Sequence, residues 1–404
     1  MSPEGSFAQG RGQPAYSPVS HSPPLNGGAM TGKTLRATTT PLASIFGSGF
    51  LVMVPILHGA VGPWALPAIA GVCGVAYAVG WVIRHNIGVV EPKLENRSAA
   101  TGTLVMERVS DVALVIAYVI SVCLYLRILS AFLLGGLGVD SVLHEKLLTT
   151  GVIAVIGVVG VIRGLGALEK LESWALWVTM AIIVAMIVGF GWHDIGLLTG
   201  GGIRLPKVPG EGLGRMLAIL GGTLITVQGF ETSRYMEEEY DAKTRIRSCR
   251  LAQIIATGVY LVFVALATPL MVYLTGPVQD DALISLAARA SFLLPIPLVV
   301  AAVLSQFSAA VADTLGGEGN MVEASRGRIG HRTAYAMIAV GAVALAWSAS
   351  TLEIVALASR AFAFYYMAQC LVGMSSASGL LRRAAMLAIG LLMLAVTVFA
   401  SPVG

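Results

Sequence analysis

Gly47, Ser48 and Gly49 interrupt the apolar run PLASIFGSGFLVMVPILHGA at residues 41–60, and Gly221, Gly222 and Gly229 interrupt MLAILGGTLITVQGFETSRY at residues 216–235. Each run is long enough to cross a bilayer, which takes about 20 residues. Glycine is about 1 kcal/mol worse than alanine in a helix interior and proline, as at Pro55, about 3. In lipid, every backbone group freed by such a break needs a new partner. An unwound turn offers N–H groups that suit a carboxylate, so Ser48 with the amides of Gly47 and Gly49 can hold an acidic group. Gln228 and the carbonyls near Gly229 can accept an amino group, and Phe230 can act as an aromatic gate. Close helix packing explains isolated glycines as well, and plain packing explains Phe230 alone. Two interrupted spans at corresponding places favour a binding site.

Ionisable residues inside apolar spans come next, because each costs at least about 2.5 to 3.5 kcal/mol on insertion scales. Asp313 and Thr314 sit together in SQFSAAVADTLGG. A carboxylate beside a hydroxyl suits a hard cation such as Na+, which takes oxygen ligands, and the same carboxylate can carry a proton. Pairing of Asp313 with Arg127 or Arg360, or a place at the water boundary, is the structural alternative. Ser305 and Ser308 are weaker ion ligands, since serines in membrane helices often bond their own backbone. Glu231 either titrates as the site works or ties the broken helix to a neighbour, with the tie favoured. Arg127 and Arg360 are expected in salt bridges.

The elements that must hold these residues are membrane helices. The chain is 56% hydrophobic and 12% charged, with a mean hydropathy of +0.80, against roughly 25% charge in soluble domains. A net charge of +4 needs no nucleic acid to explain it. Four cysteines form no CxxC pair and six histidines form no HExxH helix, so no metalloenzyme site is visible. Residues 1–38 are rich in Pro, Ser and Gly and read as a disordered tail. Eleven spans follow, near 41–60, 64–84, 110–134, 147–162, 173–192, 216–235, 251–274, 293–315, 333–349, 352–373 and 384–401. Most Lys and Arg residues fall in the loops on one side, which places the N-terminus in the cytoplasm. The run from Lys243 to Arg250 reads as part of that topology signal and a contact for anionic lipid. Five spans are an odd number, so repeats at 41–192 and 216–373 enter from opposite sides and make an inverted repeat. The core is 39–374, and 375–404 is an accessory helix.

The Gly47-Ser48-Gly49 break, the QGFE ending of the sixth span at Gln228 to Glu231, and the following EEEYDAKTRIR resemble the amino acid, polyamine and organocation (APC) permeases. The resemblance covers roughly residues 41–373. It implies an all-α polytopic protein with the five-plus-five inverted repeat of LeuT-type transporters, about eleven transmembrane helices, and an eighth span beside the first. In such folds a Ser or Thr of the eighth span can join carbonyls of the first around sodium. Two features depart from that pattern. Thr179 stands near where some proton-coupled members have lysine, and many members have twelve spans. The expected protein is a secondary transporter of a bacterial inner membrane. It would move a small amino acid or related organic solute, an amino acid or amine being the expected ligand, coupled to H+ or Na+, with no resident cofactor. A ligand-binding membrane sensor on the same fold is the competing class. Asp313 with Glu231 is the only pair for intramembrane catalysis, so an enzyme is not expected. No GxxxxGK[ST] loop supports ATP use by this chain.

Overall fold

A computed structural model describes residues 27–47, 49–165, 170–200 and 202–403, with backbone alone at 27–31 and 170–173. These residues form helices and no strand. In chain order the helices are α1 (Gly27–Gly47), α2 (Phe50–Val61), α3 (Ala65–His85), α4 (Glu91–Glu95), α5 (Thr101–Gly136), α6 (Val142–Arg163) and α7 (Lys170–Gly200). There follow α8 (Leu213–Gly222), α9 (Ala242–Ala267), α10 (Leu283–Ala290), α11 (Pro295–Ala324), α12 (His331–Ser348), α13 (Thr351–Ser376) and α14 (Leu380–Phe399). Among the described residues, eight helical stretches are long and apolar enough to cross a membrane.

Burial follows the composition of each helix. α5 is apolar on nearly all sides, and 78% of its apolar window is buried, whereas α14 buries 17% of its window. A helix apolar all round belongs in the middle of a bundle. α5 accordingly packs against α11, α13, α6 and α12, while α14 lies outside, mainly on α13.

Both interrupted spans are broken. The first stops at Gly47 and resumes at Phe50, with Gly49 at φ +148°; Ser48 lies outside the described residues. Pro41 and Pro55 sit inside α1 and α2 without breaking them, so the glycines alone make the interruption. The second span leaves α8 at Gly222 and continues as two 3-10 turns, Leu224–Val227 and Phe230–Tyr235, with Gly229 between them at φ +120°. The two breaks touch. A Cβ on Gly49 would come within 3.0 Å of Thr226, and one on Gly229 would lie 2.6 Å from the backbone of Ser44 and Ile45.

Two sequence expectations need correction. The expected tail at 1–38 is helical from Gly27 onward; its residues 1–26 lie outside the described ones. The extension is held by packing of α1 on α9 and on the Phe230–Tyr235 turn, which buries Ala37 and Thr38, and by the bond from Thr38 Oγ1 to Thr34 O. Tertiary contact here outweighs weak local propensity. The basic run from Lys243 to Arg250 is no loop but the first turns of α9, begun at Asp241, whose carboxylate accepts from Thr244 Oγ1 at 2.5 Å.

The contact between the breaks makes a test. Gly229→Ala places a Cβ against backbone at a positive φ and costs more than about 1 kcal/mol, so thermal unfolding of the solubilised protein shifts down. Gly258→Ala, where the Cβ meets open space, leaves the melting temperature unchanged or raises it.

Candidate functional site

Beside the first break lies a cavity of about 560 Å3, walled by α1, α5, α7, α11 and the turn that ends the second break. It opens at the face where α1 begins. Gly47, Ser44 and Thr40 line one side, Ser305, Ser308 and Asp313 of α11 the opposite side, and Tyr118, Tyr125 and Thr179 the remainder. Its charged lining residues are Asp313, Glu323 and Glu237 to Glu239; no Lys, Arg or His lines it among the described residues. Asp313 is buried, whereas Glu237, Glu238, Glu239 and Glu323 at the mouth are exposed. Thr179 is also buried, and its hydroxyl has no protein partner among the described residues.

The structure therefore brings together Gly47 and Asp313 of the sequence-derived set. Gly49, Gln228, Gly229, Phe230, Glu231 and Thr314 are not in the cavity wall. Phe230 is fully buried and stacks on Tyr366, with ring centres 5.5 Å apart. Glu231 accepts hydrogen bonds from the Gly229 N–H at 2.9 Å and the Tyr366 hydroxyl at 2.7 Å. The Thr314 hydroxyl donates to Ala310 O within α11.

Peptide groups released by the breaks find specific side chains. Gln306 Nε2 donates to Gly47 O at 3.0 Å. The Tyr260 hydroxyl lies 3.0 Å from Ile45 O and 2.9 Å from Thr226 O, so one proton serves a carbonyl from each break. Ser359 donates to Gly222 O and accepts from Ile225 N–H. Without these partners each buried group would carry a full desolvation cost.

Where the second break ends, Arg234 pairs with Glu107 of α5 and with Glu91 at 3.4 Å, and Arg245 pairs with Glu91 at 2.7 Å. These charges are nearly buried, and burial requires such pairing. Arg245, counted as a loop charge from the sequence, is thus part of the framework. Asp313 pairs with neither intramembrane arginine: Arg127 faces Glu145 of α6 at 3.7 Å, and Arg360 donates to the carbonyls of Thr397 and Val398 near the end of α14. The salt-bridge reading holds for Arg127. Arg360 bonds backbone instead.

Across most of its length the chain matches the family model of APC superfamily transporters, over residues 29–400. The chain belongs to the APC superfamily. A curated relative, an uncharacterized protein of Aquifex aeolicus (strain VF5), is 40% identical over 337 residues, covering 82% of each chain. Among solved structures, a mutant of the manganese transporter of Eremococcus coleocola aligns with a TM-score of 0.60 at 12% identity, over 94% of this chain and 88% of that one. Mhp1, a nucleobase-cation-symport-1 family transporter with bromovinylhydantoin bound, aligns with a TM-score of 0.56 at 14% identity, over 86% and 78%. Both are LeuT-fold transporters, and at such low identity the likeness shows the fold. This APC protein has that all-helical fold.

Sequence reading missed Tyr260, Gln306 and Ser359. Each is a polar group in an apolar span, which is a signal that something inside the bundle needs it, but the carbonyl it serves is set by packing. Tyr260→Phe keeps the ring and removes the shared donor. It is expected to lower stability by about 1 to 3 kcal/mol, measured as a lower midpoint in thermal unfolding of the solubilised protein.

Proposed function

We propose that this APC-superfamily transporter moves a small amine-bearing solute, an amino acid or amine, and couples its movement to protons through Asp313. The observation that carries the reading is the cavity beside the first break, whose charged lining residues are all carboxylates and whose buried carboxylate is Asp313. An ammonium group is the complement of such a lining. Thr179 Oγ1 offers a hydrogen-bonding seat nearby, and the first break supplies backbone N–H groups for a carboxylate if the solute has one.

Protons are preferred to sodium on the state of the oxygen ligands. Ile45 O and Gly47 O already accept from Tyr260 and Gln306, and Thr314 points its hydroxyl at Ala310 O. A sodium ion needs several oxygens turned toward one point; a proton needs one carboxylate whose surroundings change as the cavity opens and closes. The positive-inside rule supports an orientation with the cavity mouth facing the cytoplasm, and the proposed membrane is a bacterial inner membrane.

Uptake by the full chain in proteoliposomes tests the proposal, with radiolabelled amino acids and amines under an imposed pH gradient. The expected result is accumulation that a protonophore collapses, that sodium leaves unchanged, and that Asp313→Asn reduces at least about tenfold. Accumulation that follows a sodium gradient would overturn the coupling. Saturable binding with no accumulation under either gradient would replace the transporter with a sensor.

A further inference from the structure

A second cavity, of about 600 Å3, lies at the opposite face of the bundle, between the end of α5, the start of α6, the loop before α10 and the α12–α13 turn. Arg127 is part of its wall and is only 3% exposed. Its Nε donates to Thr351 Oγ1 at 3.3 Å, its Nη2 faces Glu145 Oε2 at 3.7 Å, and its Nη1 has no protein partner among the described residues. A buried guanidinium has five N–H donors in a planar fork suited to a carboxylate. Here one arm is unused and another is held only by a long ion pair.

The rim is mostly of the opposite sign. Asp140, Asp280 and Asp281 line the cavity with one lysine, Lys146, whose Nζ is turned to Trp347 O at 3.3 Å, and the acids do not converge with other ligands into a metal-binding group among the described residues. The Asp281 carboxylate is seated where a Cβ on Gly135 would have to be, so the glycine makes room for it. Burial, then neighbouring Asp280 and Asp140, push the Asp281 carboxyl up to about 6. An ammonium group placed there would relieve that repulsion. Glu353, the remaining acid of the wall, is engaged by the N–H and hydroxyl of Ser350.

The geometry points to this cavity as a second solute site, separate from the one beside Asp313, that takes a molecule bearing both a carboxylate and an amine. The carboxylate sits on Arg127 in place of Glu145, and the amine faces Asp140, Asp280 and Asp281. The site rests on its own residues and needs no assumption about the coupling ion. It makes the face opposite the acidic cavity selective for zwitterions, because a lone carboxylate meets the repulsion of the rim and a lone amine leaves Arg127 unsatisfied.

Saturation-transfer NMR on the full chain in nanodiscs tests this, with β-alanine, propionate and propylamine as probes. β-Alanine is expected to bind more tightly than either single-charge probe. Arg127→Gln should weaken it about tenfold or more, and Glu145→Gln, which removes the competing carboxylate, should tighten it. In an Asp313→Asn background, which weakens the amine-binding acidic cavity, the part of the β-alanine signal that depends on Arg127 should remain. If Arg127→Gln fails to fold, Glu145→Gln and the Asp280→Asn, Asp281→Asn double variant carry the test, the latter expected to bring β-alanine down to the affinity of propionate. The proposal is overturned if no probe binds, if propylamine matches β-alanine, or if β-alanine binding ignores the Arg127 and Glu145 variants. Loss of β-alanine binding in Asp313→Asn alone would assign it to the other cavity and leave the proposed function standing.

Discussion

Backbone groups in a membrane interior must be hydrogen-bonded to protein, and everything at the centre of this molecule follows from meeting that demand at two broken helices. Inside lipid an orphaned N–H or C=O costs several kcal/mol, so a break survives only where side chains replace the lost helical bonds. Tyr260 joins a carbonyl of each break, Gln306 and Ser359 hold others, and Glu231 takes an N–H at Gly229. Because the backbone at Gly229 packs directly on Ser44 and Ile45, neither break can shift without disturbing the other. The two form one packed unit.

That unit borders a cavity without filling it. Of the break residues, Gly47 reaches the cavity wall, while Gly49, Gln228 and Gly229 stand behind it. The division of labour is physical: glycines at positive φ let backbone approach backbone, and the groups facing the cavity are hydroxyls of α1, α5, α7 and α11, the Asp313 carboxylate and the carboxylates at the mouth. Changes in the packing of α11 against this unit would alter the surroundings of Asp313, which is the kind of change that moves a proton on or off a buried acid.

Much of this was legible in the sequence, and the rest was not for physical reasons. Glycines in apolar runs mark breaks because propensity is local, and both breaks are where the sequence puts them. Asp313 stands out because a charge in an apolar span is rare and costly. The start of α1 and the helical character of Lys243 to Arg250 escaped, since both depend on partners far along the chain: α1 on α9, and Arg245 on Glu91. Tyr260 and Gln306 were invisible for the same reason. A tyrosine in an apolar helix looks like packing until the two carbonyls beside its hydroxyl are known. Ser48 lies outside the described residues, and its role stays with the sequence argument.

On the proposed function, the paired breaks move as one unit against the α5 and α11 scaffold, opening one face as the other closes. Pulsed electron-electron resonance measures this directly, with spin labels at Glu238 and Glu323 across the mouth of the acidic cavity and at Trp64 and Asp140 on the opposite face. Two populations in each pair, with one distance shortening as the other lengthens when pH or solute is changed, is the predicted result. A single unchanging distance in both pairs, in protein shown to bind solute, would contradict it.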